Sequence, residues 1–190
     1  MSITQEFSSW FAPPQIPISQ PPEIGSNAPS SPQLSFPPTN GKPTIISFLR
    51  HCGCPVAEAT LLTLRTSAAT HNNVNFIAIS HSDSPSTQTW LDSIGGPGSV
   101  TVLVDNERAL YAKWGLGTVS WSHVLSPAGL DGIWRLGKEE GIWNRPTESG
   151  SRWQGAGNWA VDEGGVVRWG GPVKRVDEVV DVEAALGALG

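Results

Sequence analysis

The sequence predicts an α/β domain, a mixed sheet flanked by helices. Short apolar runs alternate with stretches of helical spacing from residue 43 onward, which implies parallel strand pairing. Two late strand-like segments flank Asp162-Glu163-Gly164-Gly165, so a hairpin should add an antiparallel edge. With 190 residues the chain is long enough to bury one ordinary hydrophobic core.

Each element has its own signal. Thr44 to Leu49 is an apolar run of strand length, and residues 55 to about 70 read as the first core helix. Pro55 suits the first helical position, where its missing N–H has no partner to lose. Val74 to Ile79 predicts a second buried strand. Ser84 or Ser86 is the expected cap of a short helix through Trp90, Leu91 and Ile94, ended by Gly95-Gly96. Val100 to Val104 predicts a third strand, and Asp105 the cap of a helix through Ala109, Leu110 and Trp114 that stops at Gly115. Asn158–Val161 and Val166–Trp169 form the hairpin, and Val176 to Leu189 a last helix.

Two segments stand outside this alternation. Residues 1–42 are rich in Pro, Ser, Gln and Asn and predict an extended arm, with Phe7, Trp10, Phe11, Ile16 and Ile18 as anchors. A partly disordered tail is the other reading of that composition. Within the domain at 43–190, an insertion at about 116–157 carries Trp121, Trp134, Trp143 and Trp153 beside the polar run 144–152. A loop of that length predicts a functional segment.

Composition narrows the function classes. Net charge is −5, the sequence pI is about 5.3, and no Lys/Arg run stands out, which argues against nucleic acid or an anionic membrane as partner. No stretch approaches the apolar length of a membrane span, and the first residues lack a secretory pattern. The two cysteines, Cys52 and Cys54, make no disulfide framework, so a reducing, cytoplasmic location is expected.

The chemistry gathers around those cysteines. Cys54 directly precedes the helix that Pro55 opens, where unpaired N–H groups stabilise a thiolate. Arg50 and His51 add positive potential, and His51 can orient a substrate oxygen or serve as a base. A buried, inert Cys54 and a solvated His51 are the alternatives. Cys52 is either a resolving thiol in a strained, easily reduced C-x-C pair or a spectator. Cys52, Cys54 and His51 do not match zinc-ligand spacing. Trp121, His123 and Trp153 can line a substrate pocket, Arg152 precedes the hairpin, and Asn144, Arg145, Glu148 and Gln154 are candidate supporting polar groups.

Several stretches together resemble the AhpC/TSA, peroxiredoxin-like superfamily with its thioredoxin-like fold. Glu23-Ile24-Gly25-Ser26-Asn27-Ala28-Pro29 is similar to the segment that opens peroxiredoxins, and Asn40-Gly41-Lys42-Pro43 with 44–50 to their Gly-Lys turn and first core strand. Gly53-Cys54-Pro55 through Glu58 resembles the peroxidatic cysteine loop, and Trp159-Ala160-Val161-Asp162 with Gly165-Val166-Val167 their late hairpin. The likeness covers about residues 21–189 and is nearest to a peroxiredoxin-like branch found notably in fungi.

The resemblance implies a thiol-dependent oxidoreductase, an antioxidant protein in which Cys54 attacks a peroxide or a disulfide. It implies regeneration by Cys52 or by an external thiol such as glutathione or thioredoxin, no metal or organic cofactor, and room for a homodimer. It also places Arg152 roughly where peroxiredoxins supply an active-site arginine. The family's threonine or serine three residues before the cysteine is His51 here, and the second cysteine of a C-x-x-C pair is Ala57. The alternative is a thioredoxin-fold protein without redox work that binds or non-oxidatively converts a small apolar molecule, for instance in fungal secondary metabolism.

Overall fold

Alternating side chains along Thr44–Phe48 leave the chain in opposite directions, and this strand, β1, is buried along its whole length in the computed structural model. The structure describes residues 13–124, 126–146 and 149–190, with the backbone alone at 121, 123 and 128. β1 lies in the middle of a five-stranded sheet. It pairs in parallel with β2 (Asn75–Ser80), which pairs in parallel with β3 (Thr101–Val104). On its other side β1 runs antiparallel to β4 (Gly157–Val161), which pairs with the edge strand β5 (Val167–Pro172). The order β3-β2-β1-β4-β5 is the mixed sheet that the sequence predicts.

The strand period divides the core in two. Ile45, Phe76, Ala78 and Ala160 face one side, where they pack with Val56, Leu61 and Leu64 of α1 (Pro55–Ala68) and with Trp90 and Leu91 of α2 (Ser84–Ser93). Ile46, Phe48, Ile79, Trp159 and Val161 face the other, against Leu110 and Tyr111 of α3 (Ala109–Lys113) and Trp114. The cap of α2 is Asp83, one residue before the expected Ser84, because its carboxylate accepts the Ser86 amide at 2.8 Å. The N-cap position of α3 falls on Arg108, in left-handed conformation, not on the expected Asp105, although the Asp105 carboxylate does accept the amides of Ala109, Leu110 and Tyr111.

The largest departure from the sequence reading is the insertion. It holds two helices, α4 (Trp121–Val124) and the 14-residue α5 (Pro127–Glu140). Ser126 caps α5 and Gly141, at φ +71°, ends it. Its three glycines mark close packing. A Cβ at Gly129 would lie 2.1 Å from Val176 Cγ1, one at Gly132 2.2 Å from Asp177 Oδ2, and one at Gly137 2.5 Å from the Trp143 ring. The C-terminal helix, α6, is shorter than expected, running only over Val182–Gly187 with Asp181 as its cap.

The described part of the arm lies against this body. Gly25 N–H donates to the Val167 carbonyl, Val167 N–H to Ser26, and Ala28 N–H to Gly165, while Leu34 is buried. Phe7, Trp10 and Phe11 lie outside the described residues. No helix among the described residues is long and apolar enough to cross a membrane.

Candidate active site

The C-terminal ends of β1 and β2 are tied together just before the cysteine loop. Leu49 N–H donates to the Ile79 carbonyl, and the buried Tyr111 hydroxyl lies 2.6 Å from the Leu49 carbonyl and 2.7 Å from that of Ile79. Burial, reinforced by the Asp105 charge, pushes the Tyr111 phenol well above its ordinary pKa, so it remains a donor. From this fixed point the chain turns through residues 50–54 into α1.

Cys54 is the N-cap residue of α1. Its backbone is extended (φ −74°, ψ 127°), its carbonyl accepts the Glu58 amide, and its amide donates to the His51 carbonyl at 3.1 Å. The side chain is buried, and no hydrogen bond of its own caps the helix. Cys52 is also buried, but in a polar setting. Its sulfur lies 3.5 Å from Ser80 Oγ and 3.8 Å from Thr87 Oγ1, and its amide donates to Ser82 Oγ at 3.2 Å. Both cysteines are free thiols.

Gly53 between them permits the turn. Its φ is +98°, and a Cβ there would lie 2.8 and 2.9 Å from the carbonyl oxygens of Arg145 and Pro146. That close approach is a fastening. Arg145 N–H donates to the Gly53 carbonyl, and the Arg145 guanidinium grips the buried Glu58 carboxylate at 2.8 and 3.0 Å. The Glu58 carboxylate holds the guanidinium above its ordinary pKa. The end of the insertion thus lies across the cysteine loop.

A second strap, residues 149–152, crosses the end of β2. Ser82 Oγ donates to the Ser149 carbonyl, Asp83 N–H to Ser149 Oγ, and Ser151 N–H to His81 Nε2 at 3.0 Å. Arg50 donates to the Arg152 carbonyl at 2.7 Å. His81 and its hydroxyl neighbours Ser80, Ser82 and Thr87 are absent from the sequence reading. Their only signal is an unusually polar end to an apolar strand run, Ser80-His81-Ser82.

Four cationic or titratable groups converge here. His51 is fully buried and held well below its ordinary pKa, first by burial and then by the Arg50 and Arg152 charges. Its Nδ1 lies 3.0 Å from the Cys52 carbonyl and donates to it in the neutral ring. Burial likewise lowers His81 from 6.5 to about 4, with smaller contributions from Arg108 and Arg50 in the same direction. The structure therefore brings Cys52, Cys54, His51, Arg50 and Arg152 into one region.

The other expected site residues fall elsewhere. Trp153 is 1% exposed and serves the core, its carbonyl accepting the Val119 amide. The side chains of Trp121 and His123 lie outside the description, as does Glu148. Gln154 is buried and donates to the Leu116 and Gly117 carbonyls, Asn144 is exposed, and Trp134 and Trp143 stack edge-on with each other. The aromatic wall beside the cysteines is Trp90. With Cys52, Gly53, Thr89, Arg145 and Pro146 it lines a pocket of about 200 Å³. Among the described residues no group of three His, Cys, Asp or Glu is placed to hold a metal ion.

A family model described as AhpC/TSA antioxidant enzyme matches residues 61–173, more than half of the chain. The chain belongs to this AhpC/TSA family. The match begins inside α1, downstream of both cysteines, so it rests on the scaffold around the site. A peroxiredoxin-like protein from Aquifex aeolicus is similar in structure, with a TM-score of 0.58 and 16% identity over 90% of this chain and 88% of that one. A thiol peroxidase from Chromobacterium violaceum gives a TM-score of 0.54, also at 16% identity, over 91% and 89%. At such identities the likeness establishes the thioredoxin-like fold of this AhpC/TSA protein. No curated protein matches the sequence.

Proposed function

We propose that this AhpC/TSA protein is a cytosolic thiol oxidoreductase whose reacting group is Cys54. The observation that carries the reading is the placement of Cys54 as N-cap of α1, just after the central strand, with its amide bonded to the His51 carbonyl. The start of a helix is where backbone amides can meet negative charge that develops in a reaction. Burial keeps His51 neutral, with its Nδ1 donating to the Cys52 carbonyl.

In the reaction the Cys54 thiolate attacks one peroxide oxygen and the O–O bond breaks. The departing oxygen leaves with a proton as water or an alcohol, and Cys54 becomes a sulfenic acid. A thiol then attacks that sulfur, forming a disulfide and releasing water. Arg152 and Arg50 are the cations this reading assigns to the peroxide and its leaving oxygen, Arg50 while also donating to the Arg152 carbonyl. With His51 in place of the family's threonine, one donor is lost, and such a loss typically costs ~10²–10³ in rate.

Brief exposure of the full chain to hydrogen peroxide, with sulfenic-acid trapping and mass spectrometry of each cysteine, tests the reading. Cys54 should be oxidised faster than free cysteine but far slower than in dedicated peroxidases. Cys54→Ser should abolish the reaction, and Cys52→Ser should preserve its first step. A Cys54 no more reactive than free cysteine overturns the proposal and leaves the scaffold as a binding protein.

A further inference from the structure

The oxidation step makes no use of the pocket beside the cysteine loop, and Cys54 does not line it. Cys52 does, with its sulfur next to the Ser80 and Thr87 hydroxyls. One face of α2 supplies Ser86, Thr89, Trp90 and Ser93, at the i, i+3, i+4, i+7 spacing, and Pro146 stands among the other walls. The surface is mainly apolar. Its one charged residue, Arg145, is bound through two hydrogen bonds to Glu58, so the pocket offers no uncommitted cation. Trp90 is 5% exposed, and its buried indole N–H has no acceptor among the described residues.

We propose that this pocket receives a small, uncharged, largely apolar thiol, and that Cys52 is the sulfur it meets. The step rests on the peroxidase reading of Cys54. The Cys54 sulfenic acid condenses with the Cys52 thiol, releasing water and closing a strained C-x-C disulfide. The pocket-bound thiolate attacks the Cys52 sulfur, the S–S bond breaks, and Cys54 leaves as a thiolate. A second thiol attacks the ligand sulfur of the mixed disulfide, freeing Cys52 and a symmetrical disulfide. Two thiols are oxidised for each peroxide reduced. A volume of about 200 Å³ with mainly apolar walls suits a group the size of a benzyl thiol better than the multiply charged tripeptide glutathione.

Two measurements on the full chain separate this proposal from the reading beneath it. In the first, the reduced protein is labelled with benzyl methanethiosulfonate or the anionic sulfonatoethyl reagent, each rate divided by that of free cysteine, and the site is mapped. Cys52 should prefer the benzyl reagent at least tenfold. Trp90→Ala should erase the preference, and exposed Thr89→Lys, which leaves the core untouched, should shift it toward the anion. Equal rates, labelling at Cys54 first, or a preference unmoved by Thr89→Lys in a folded protein overturns the pocket assignment. In the second, peroxide turnover is followed with benzyl mercaptan or glutathione. Faster turnover with benzyl mercaptan supports the assignment, and faster turnover with glutathione overturns it. Selective Cys52 labelling without Cys54 oxidation by peroxide would leave the pocket standing and remove the peroxidase reading.

Discussion

Lowering the pH from 7 to 5 should weaken this protein, and His81 is one reason. In the folded state burial holds its imidazole at about 4, against an ordinary value of 6.5. Its Nε2 lies 3.0 Å from the Ser151 amide and 3.2 Å from the Ser151 carbonyl, and the carbonyl offsets only part of the burial penalty on the charged ring. The folded state therefore keeps the ring neutral, while the unfolded chain binds a proton as pH falls through 6.5. The stability His81 contributes is fully present above the unfolded pKa and is lost as pH falls toward the folded one. Linkage puts the loss at about 2 kcal/mol between pH 7 and 5, rising to about 3 kcal/mol below both values. His51, lowered by burial and by Arg50 and Arg152, acts in the same direction. Asp83, Asp162 and Asp177 have depressed pKa values, so their contribution is present above 3.8 and goes only at lower pH.

Urea unfolding at pH 7, 6 and 5, followed by tryptophan fluorescence, measures this loss. His81→Gln is the informative partner, because a glutamine oxygen can accept the Ser151 amide and does not titrate. The variant should start less stable at pH 7 but lose about 2 kcal/mol less than the parent on going to pH 5. If both proteins lose the same stability over that interval, His81 is not a buried neutral imidazole and the account of the 149–152 strap fails with it.

Two further substitutions test the packing that shapes the site. Gly53→Ala forces a side chain into positive φ and against the Arg145 and Pro146 carbonyls. The backbone effect alone should cost about 1–2 kcal/mol, and limited proteolysis between 141 and 152 should become faster. An unchanged unfolding midpoint and unchanged cleavage would contradict the fastening. Gly129→Ala gains about 1 kcal/mol of helix propensity, but its Cβ meets the buried Val176 at 2.1 Å, where overpacking costs about 1–3 kcal/mol. The expected result is net destabilisation in thermal melts, and a stabilised variant would mean α5 does not pack this closely on Val176.

The sheet was readable because its strands are nearly continuous apolar runs of strand length, and a buried central strand leaves that mark on any sequence. The insertion was not. In α5 the glycines at 129, 132 and 137 break the helical pattern that a sequence can show, while in space each admits a neighbour that a methyl group would exclude. Ser126-Pro127 and Gly141 were present as start and stop signals, but three glycines between them weigh against a helix. The early stop of the last helix has a similar origin. Residues around Val176 and Asp177 are committed to packing against those glycines, so the helix can begin only once Asp181 caps it.

The site divides along the same line between local and distant information. Cys54 beside Pro55 is a one-dimensional signal, since a helix start and the residue before it are neighbours in the chain. Cys52 is ambiguous in sequence because its character comes from Ser80 and Thr87, 28 and 35 residues away. Arg145 looks like a free surface cation until Glu58, 87 residues earlier, is found against it. The pocket beside Cys52 is what remains once these distant partners are in place. Arg145 is neutralised by Glu58, the insertion is fastened across Gly53, and the Trp90 face of α2 stays open to a ligand. Two cysteines separated by one residue thus face different surroundings, one at a helix start and one beside a pocket and two hydroxyls. That asymmetry, rather than the C-x-C spacing itself, is what the proposed division between accepting an oxidant and meeting a reductant rests on.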